Sequence, residues 1–243
     1  MNNNIGNLKN KNIVVTGASK GMGKAIAAAF AAEGANLFLC ARHAAQLNKT
    51  VAELKQQYPG TTVNSTTADL SVKDEAIVFG NWINKQVTAV DILVNNAGVF
   101  LPGSVHNETD GILDQMIQTN LYSAYHLTRT LLPAMMGHQQ GYIFNICSIA
   151  SLQAYSNGGS YSISKFALMG FSKNLREELK PYNIKVAAVY PGAVLTDSWG
   201  NYDNSQHRIM EATDIAAMIV AASKLSAGAV MEDIILRPLL GDL

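Results

Sequence analysis

Short runs of aliphatic and β-branched residues recur along the chain and alternate with segments whose apolar residues follow helical spacing. Most of these runs show little regular alternation with polar residues, a pattern typical of strands that are buried on both faces. They span residues 12–17, 36–41, 61–68, 91–98, 142–148, 184–192 and 233–238. Most of them are therefore predicted to be buried β-strands.

Between these runs, apolar residues recur every three or four positions, as they do on the buried face of a helix. Examples are Ile26 and Phe30 before Gly34, and the longer series from Leu113 to Leu127. Strands that alternate with helices form a parallel sheet covered on both faces, because right-handed crossovers place the helices there. The sequence thus predicts a doubly wound α/β fold, with one domain over residues 1–243.

One polar insert, residues 196–210, interrupts this alternation and contains Trp199, Tyr202 and Met210. Aromatic side chains in such an insert suit a lid that closes over a substrate and excludes water. Ordinary packing of the loop on its own domain is the alternative.

Composition narrows the classes of function. The chain of 243 residues has no formal net charge, and its residues are 15% charged and 48% hydrophobic. No charge imbalance therefore favours nucleic acid or an acidic partner. Residues 1–11 lack the apolar stretch of a signal peptide, and no run approaches the length of a membrane span. We expect a cytoplasmic protein that acts on a small apolar or mixed molecule.

The two cysteines, Cys40 and Cys147, lie in the apolar runs LFLCA and IFNIC. Free cysteine in such a run is usually a small core residue. Because the cysteines show no ligand-like spacing, we expect neither a disulfide nor a metal site.

The first run leads directly into TGASKGMG, in which Gly17, Gly21 and Gly23 precede a predicted helix. Glycines let the backbone approach a diphosphate closely, and the N–H groups and dipole of a helix N-terminus favour its negative charge. The spacing GxxxGxG differs from the GxGxxG dinucleotide fingerprint, so a merely tight turn is the alternative. The position after the first strand favours phosphate binding.

The end of the second run distinguishes NADP from NAD. A carboxylate at this point accepts a hydrogen bond from the 2′-hydroxyl of NAD, whereas the 2′-phosphate of NADP requires a cation. The chain has no carboxylate between Glu33 and Glu53, but Arg42 follows the run and Lys20 lies in the glycine turn. NADP is therefore favoured, with two solvated surface cations as the alternative.

Polar and small residues also end the third and fourth runs, namely Asp69 and the stretch Asn96, Ala97 and Gly98. Ligands of such sheets bind at the carboxyl ends of the strands, so these residues are candidates to line the adenosine half of a cofactor. Asp69 as the cap of a helix that begins near Ser71, and Asn96 as the stabiliser of a turn, are the alternatives.

Tyr161 and Lys165 are four residues apart in a predicted helix and so share one face. Ser148 follows the fifth run, which places all three residues at the same edge of the sheet. Hydride transfer to a carbonyl produces an alkoxide that needs a proton, and a phenol is a fitting donor. We expect Ser148 to orient the substrate oxygen and Lys165 to lower the pKa of Tyr161 from its usual value of about 10.

Asn120, in the predicted helix before the fifth strand, is a candidate to hold a water that passes protons to Lys165. Each of the four residues has a structural explanation when it is taken singly. Tyr161 would be a packing residue of the helix, and Lys165 would lie on its solvated face. Ser148 would cap a turn, and Asn120 would be a polar residue that interrupts the apolar pattern of its helix. Their occurrence together, after a glycine turn, indicates catalysis.

These motifs together resemble the short, single-domain branch of the short-chain dehydrogenases/reductases over nearly the whole chain. The matching stretches are TGASKGMG at 16–23, ADL at 68–70, NNAG at 95–98, Asn120, Ser148, YSISK at 161–165 and PGAVLTD at 191–197. The resemblance implies a Rossmann-like sheet of seven strands with Tyr161 as the catalytic acid/base. It also implies that Lys165 contacts the nicotinamide ribose and that Asn120 completes a proton relay.

The same resemblance implies that the cofactor is NADP(H). Val194 and Thr196 would hold the nicotinamide carboxamide, and Asp69 and Leu70 would flank the adenine. The full set of implied cofactor contacts is Gly17, Ser19, Lys20, Gly21, Met22, Gly23, Arg42, Asp69, Leu70, Asn96, Ala97, Gly98, Tyr161, Lys165, Pro191, Gly192, Val194 and Thr196. Members of the family usually pair the helices near 109–136 and 161–180, so we expect a homodimer or homotetramer.

The predicted function is the NADPH-dependent reduction of a ketone or aldehyde. The C-terminal stretch MEDIILRPLLGDL lacks the Gly-Gly segment of many fatty-acid-type 3-oxoacyl reductases and is more similar to sepiapterin-type and broad carbonyl reductases. Phe100 and Tyr155 are candidates for opposing walls of the pocket, in which no cation is evident to anchor a carboxylate or phosphate. We therefore expect a neutral, fairly apolar substrate.

Two alternatives remain. Within the family, the alternative is a reductase of 3-oxoacyl thioesters. Outside catalysis, the alternative is a non-enzymatic sensor that binds NADP. Such a sensor has no need of Ser148, Tyr161 and Lys165 together, which favours an enzyme.

Overall fold

The computed structural model describes residues 6–242, apart from the side chain of Ser198. Residues 1–5, on which the expectation of no signal peptide partly rests, lie outside the described residues. Seven parallel strands form one sheet in the order β3-β2-β1-β4-β5-β6-β7. The strands are β1 (Asn12–Thr16), β2 (Asn36–Ala41), β3 (Val63–Thr67), β4 (Ile92–Asn95), β5 (Gly141–Ile146), β6 (Ile184–Pro191) and β7 (Asp233–Leu236).

Seven α-helices accompany the strands in the described part of the chain. They are α1 (Gly21–Ala32), α2 (Ala44–Gln57), α3 (Lys73–Asn84), α4 (Ile112–Ile117), α5 (Ser123–His138), α6 (Gly159–Leu179) and α7 (Ala212–Ser223). The predicted doubly wound α/β fold is therefore confirmed, and every run predicted to be a strand contains one. The strands within the apolar runs 61–68 and 91–98 end earlier than the runs, at Thr67 and Asn95.

The core has two layers, one on each face of the sheet. Along β1, Ile13 and Val15 belong to the cluster beneath α1, α2 and α7, whereas Val14 belongs to the cluster beneath α3, α5 and α6. Successive strand residues point to opposite faces, so a strand between two helical layers must be apolar at nearly every position. This requirement explains the uninterrupted apolar runs of the sequence.

The strand order reverses between β1 and β4. From β1 the chain moves outwards to β3, then returns to the other side of β1 and continues to β7. The loops after β1 and β4 diverge from this point, which opens a crevice at their carboxyl ends. The fold thus gathers the segments that follow β1, β4, β5 and β6 at one edge of the sheet.

The apolar series from Leu113 to Leu127 forms one continuous helical path rather than a uniform α-helix. A π-helical turn, Gln118–Tyr122, separates α4 from α5. Such a turn adds one residue to the helical repeat and is frequent at functional sites. It contains Asn120, which is almost completely buried.

Cys40 and Cys147 are both free and buried, as predicted. Burial raises the pKa of Cys40 to about 12 and that of Cys147 to about 11, so neither thiol ionises readily. Over residues 6–242 there is no group of three or more potential metal-ligating His, Cys, Asp or Glu side chains. Within the same range, no helix combines the length and apolar character needed to cross a bilayer.

The contact between α3 and α5 depends on Gly80. A Cβ atom at this position would lie only 2.6 Å from Cγ2 of Thr130 on α5. We expect Gly80→Ala to lower the free energy of unfolding by about 1–3 kcal/mol, because overpacking outweighs the better helix propensity of alanine. Urea unfolding followed by circular dichroism measures this change.

Gly137→Ala is the matched control, since Gly137 is exposed on α5 and a Cβ there meets nothing within 4 Å. It should be neutral or stabilise the protein by up to about 1 kcal/mol. Equal effects of the two substitutions would contradict the close approach of the helices.

Candidate active site

The glycine turn between β1 and α1 is as tight as its sequence predicts. Gly17 and Gly21 have φ angles of +63° and +52°, in the left-handed region that favours glycine. A Cβ on Gly23 would lie 2.3 Å from the carbonyl oxygen of Gly17, so this position admits no side chain. The carbonyl of Ser19 accepts a hydrogen bond from Thr50 Oγ1 at 2.7 Å, which ties the turn to α2.

No side chain caps the first turn of α1, where Lys20 occupies the N-cap position. The backbone N–H groups of a first helical turn lack partners within their own helix and carry the positive end of its dipole. This arrangement fits a phosphate group. Met22, in the same turn, packs its side chain against the core.

Lys20 and Arg42, the two predicted 2′-phosphate ligands, differ in their surroundings. Lys20 Nζ lies 3.0 Å from Asp197 Oδ2, in an ion pair between the glycine turn and the polar insert. Arg42 is exposed directly after β2, and its guanidinium has no ion pair among the described residues. Arg42 is therefore the cation that is ready for an anionic group.

Asp69 makes a local contact with Ser71 and does not cap a helix, since α3 begins at Lys73 without a side-chain cap, whereas Asn96 stabilises the turn after β1. Asp69 Oδ1 accepts hydrogen bonds from the backbone N–H and the hydroxyl of Ser71, at 3.0 and 2.7 Å. Asn96 Nδ2 donates to the carbonyl of Thr16 at 2.8 Å, so it joins the ends of β4 and β1. Both side chains thus shape the walls of the crevice.

Other predicted cofactor residues lie around the same edge of the sheet. The side chain of Leu70 is buried in the core, so only its backbone is placed to flank a ligand. Ala97 also packs against that core, and its N–H donates to Thr16 Oγ1 at 2.9 Å. Pro191 ends β6, and the N–H of Gly192 donates to the carbonyl of Leu236.

Ser148, Tyr161 and Lys165 come together at the carboxyl end of β5. Ser148 caps a short 3₁₀ turn, Ile149–Ser151, and also hydrogen-bonds the phenol of Tyr161. Lys165 Nζ donates to the carbonyl of Ile146 at 2.8 Å and lies 5.8 Å from the centre of the Tyr161 ring. The predicted trio is thus a physical cluster at the crevice.

Burial controls the ionisation of this cluster. It raises the pKa of Tyr161 to about 12, against the lowering effect of the hydrogen bond with Ser148. It lowers the pKa of Lys165 to about 8. The expectation that Lys165 lowers the pKa of Tyr161 is wrong in this structure. The ammonium points to Ile146 and faces the aromatic ring, and its own charge is disfavoured by burial.

Asn120 lies beside Lys165, but its side chain is occupied by other partners. Asn120 Oδ1 accepts from the N–H of Val99 at 2.7 Å, and Nδ2 donates to the carbonyl of Val99 and to Ser164 Oγ. A Cβ on Gly98 would lie 3.2 Å from Asn120 Oδ1 and 3.6 Å from Lys165 Nζ, which places Gly98 between them. The side chain therefore holds the loop after β4 against α6.

Ser164 was missed by sequence reasoning although it lies within YSISK. Its hydroxyl donates to the carbonyl of Tyr161 at 2.7 Å and accepts from Asn120, and the residue is fully buried. The available signal was its position three residues after Tyr161, which places both on one side of α6. Ser164 links the π-helical turn to the helix that carries the phenol.

Aromatic side chains line the mouth of the site. The rings of Phe100 and Tyr161 meet edge to face, with centroids 4.8 Å apart, while 45% of Phe100 remains exposed. Tyr155 is 46% exposed and lies close enough to raise the pKa of Tyr161. Both residues thus border the phenol on the solvent side.

The polar insert 196–210 is anchored at its base. Val194 and Met210 form a β-bridge, and Thr196 lies against the glycine turn, where a Cβ on Gly21 would be 3.3 Å from its Cγ2. Farther along, the rings of Trp199 and Tyr202 pack together with centroids 5.3 Å apart. The first residues of the insert, Thr196 and Asp197, therefore contact the glycine turn.

Comparison with known proteins supplies independent information. A family model described as short chain dehydrogenase matches residues 11–207. A sepiapterin reductase from Chlorobaculum tepidum is 35% identical over 239 residues, which cover 95% of this chain and 97% of the relative.

Two solved structures share the fold over nearly their whole length. A metagenomic short-chain oxidoreductase in complex with NADP is 31% identical, with a TM-score of 0.84 and coverage of 96% of this chain and 98% of the other. The L-sorbose reductase of Gluconobacter frateurii, complexed with NADPH and L-sorbose, is 26% identical, with a TM-score of 0.87 and coverage of 96% and 97%.

The buried ammonium of Lys165 should make stability depend on pH. Burial lowers its pKa from the ordinary value of 10.5 to about 8, so the folded state binds fewer protons than the unfolded state between these pH values. The contribution of Lys165 to the free energy of unfolding therefore rises as the pH increases from 8 to 10.5. Below pH 8 the free-energy cost of burying the charged lysine is constant.

Lys165→Met removes this titration. We expect the stability of the wild type relative to Lys165→Met to increase between pH 8 and 10 and to be constant between pH 6 and 7.5. Parallel urea titrations of the two proteins measure the difference, in which the titration of other groups cancels. A difference that does not change with pH would show that Lys165 is not a buried cation.

Proposed function

This chain belongs to the short-chain dehydrogenase family, and from that premise we propose that it reduces a ketone or aldehyde to an alcohol with NADPH. The observation that carries the proposal is the cluster of Ser148, Tyr161 and Lys165 at the crevice between β1 and β4. Enzymes of this family are oxidoreductases, and a protein that only binds a dinucleotide has no need of a buried phenol beside a buried lysine.

NADPH, when bound, supplies the hydride that adds to the carbonyl carbon. The carbonyl oxygen gains an electron pair as the C=O π-bond breaks, and residues of the chain stabilise and protonate this oxygen. The hydroxyl of Ser148 donates a hydrogen bond to this oxygen and holds it beside Tyr161. The phenol transfers its proton to the oxygen, which gives the alcohol and leaves a phenolate.

The raised pKa of Tyr161 suits this direction of the reaction. A phenol with a pKa of about 12 is protonated throughout the physiological range, so it holds the proton that reduction consumes. An alkoxide is more basic than a phenolate, so the transfer is favourable. Lys165, whose pKa is about 8, would return a proton to the phenolate.

NADPH rather than NADH is proposed because of the charges at the crevice. The uncapped first turn of α1 suits the diphosphate, and Arg42 stands exposed after β2, where a 2′-phosphate would lie. Relatives described as complexes with NADP and NADPH support the same cofactor. Lys20 would join Arg42 at the 2′-phosphate after leaving Asp197.

The proposed substrate is neutral and partly apolar. Phe100 and Tyr155 would form its walls beside the phenol, and the insert that carries Trp199 and Tyr202 would cover the nicotinamide side. In the described part of the chain, no Lys or Arg stacks over the rings of Phe100 or Tyr155, and Lys165 of the proposed catalytic cluster is the cation over Tyr161. Such walls favour an uncharged carbonyl compound with an apolar or aromatic body.

The proposal also includes assembly into a homodimer or homotetramer in the cytoplasm. Ile163 and Phe166 on α6 are 43% and 39% exposed, and Leu113 and Tyr122 on the neighbouring helical path are 40% and 42% exposed. Apolar side chains on these two elements are suited to an interface with a second copy.

Tyr161→Phe tests the proposed proton donor. With a panel of ketones, aldehydes, sugars and 3-oxoacyl thioesters, the wild type should oxidise NADPH with at least one neutral carbonyl compound. The variant should lose about 100- to 10,000-fold in kcat with that compound, because it has no proton to transfer. NADPH affinity, measured by fluorescence titration, should be retained.

Tyr182→Phe is the control, since Tyr182 lies beyond the far end of α6. It should leave kcat unchanged. Undiminished turnover in Tyr161→Phe would remove the assigned role, and preference for a 3-oxoacyl thioester would replace the proposed substrate class.

Arg42→Ala tests the cofactor preference. Loss of a hydrogen-bonded ion pair with the 2′-phosphate costs about 1.5–3 kcal/mol, which corresponds to a roughly 10- to 100-fold higher Kd for NADPH. The Kd for NADH should change little, because NADH lacks that phosphate. Lys55→Ala, at the other end of α2, is a control that removes the same charge. Equal weakening of NADPH and NADH would contradict the contact.

A further inference from the structure

The loop between β4 and α4 is fastened to the start of α6 by the carboxylate of Glu108. The backbone N–H of Ser160 donates to Glu108 Oε2 at 3.3 Å, and the hydroxyl of Ser160 donates to Oε1. Ser160 is fully buried and directly precedes Tyr161. A side chain from a distant loop thus holds the residue next to the phenol.

Further contacts join the same two segments. The N–H of Gly103 donates to the carbonyl of Asn157 at 3.1 Å, and the hydroxyl of Ser104 hydrogen-bonds Asn157 Oδ1 at 3.0 Å. A Cβ on Gly159 would lie 2.4 Å from the carbonyl oxygen of Gly103. The two backbones are therefore in direct contact, with glycine required at the point of closest approach.

Glu108 supplies a capping carboxylate to the N-terminus of α6, which has no capping side chain of its own. Gly158 is the N-cap of α6 and has no side chain that can bond the free N–H groups, and the first turn contains no acidic residue. A carboxylate at a helix N-terminus satisfies a backbone donor and interacts favourably with the helix dipole. Glu108 provides this anion from outside the helix.

The fastened loop also carries a wall of the site. Phe100 lies on the same loop and packs its ring edge to face with that of Tyr161. The carboxylate of Glu108 therefore connects the position of the phenol with the position of the aromatic wall above it. Release of this contact removes one restraint from both partners at once.

We propose that Glu108 is a positioning residue for the reaction, which fixes Tyr161 and Phe100 relative to each other through Ser160. This inference rests on the proposed function of Tyr161 as the proton donor. Glu108 does not touch the reacting atoms. It acts by limiting the movement of the first turn of α6 and of the loop that borders the substrate.

The test compares Glu108→Ala with two milder variants. Glu108→Gln keeps one oxygen acceptor for Ser160, and Ser160→Ala keeps the carboxylate and the backbone bond but removes the hydroxyl. A small misplacement of a reacting group is enough to slow a reaction by about 100-fold. We expect kcat of Glu108→Ala to fall roughly 10- to 100-fold with KM for the carbonyl raised, while Kd for NADPH is unchanged.

Glu108→Gln should recover part of the lost kcat. Ser160→Ala should cause little further loss in the Glu108→Ala background, because both changes remove the same interaction. Hydrogen exchange at residues 159–162 and 99–104 should accelerate in Glu108→Ala. The exchange measurement needs no turnover, so it remains informative whatever the substrate is.

Asp91→Ala is the matched control. Asp91 also accepts one backbone and one side-chain hydrogen bond, from Asn12 and Lys11, but at the amino end of the sheet. It should lower the melting temperature while leaving kcat, KM and exchange at 159–162 unchanged.

Two results would overturn the positioning role. One is unchanged exchange at 159–162 in Glu108→Ala. The other is a kcat equal to that of the wild type with only the melting temperature reduced, which would make Glu108 a stabilising cap alone. If Glu108→Ala does not fold, Ser160→Ala and Glu108→Gln answer the same question. Lack of turnover by the wild type with every carbonyl compound would count against the proposed function, not against the fastening of the loop.

Discussion

The hydroxyl of Thr16 joins the two halves of the sheet at the point where they diverge. It accepts hydrogen bonds from the N–H groups of Asn96 and Ala97, both at 2.9 Å, while the side chain of Asn96 returns a bond to the carbonyl of Thr16. The residue is buried, so each of these polar groups needs a partner within the protein. This junction fixes the distance between the glycine turn and the loop after β4. The position of every other group in the site is defined relative to these two segments.

Burial then determines the chemistry that the site can perform. A desolvated environment favours the neutral form of an ionisable group, and it acts on Tyr161 and Lys165 in opposite directions. The phenol keeps its proton, and the lysine holds its proton less tightly than it would in water. A phenol that stays protonated and an amine that titrates near pH 8 are therefore adjacent.

Much of this arrangement follows from local sequence. The apolar runs predicted the strands because a sheet covered on both faces leaves few places for polar residues, and the second strand, Asn36–Ala41, was predicted at its observed bounds. Gly17, Gly21 and Gly23 indicated the phosphate turn because their spacing has a steric cause. Tyr161 and Lys165 were predicted to be neighbours because helical geometry alone brings them together.

Properties that depend on the surroundings of a residue were not predictable in this way. The pKa of Tyr161 depends on how completely the folded chain excludes water from it. The spacing of the apolar residues does not reveal the π-helical turn at Asn120, because one extra residue between α4 and α5 changes that spacing very little. The contact between Glu108 and Ser160 joins residues 52 positions apart, and neither belongs to a recognisable motif.

The ion pair between Lys20 and Asp197 has a consequence for exchange at the crevice. Both side chains are 57% exposed, and an exposed pair of this kind is worth about 1 kcal/mol or less. Asp197 therefore binds Lys20 only weakly, and an anion that binds the lysine more strongly can replace it. In the proposed complex, a dianionic phosphate would displace it at little thermodynamic expense. The insert is held near the glycine turn without being locked there.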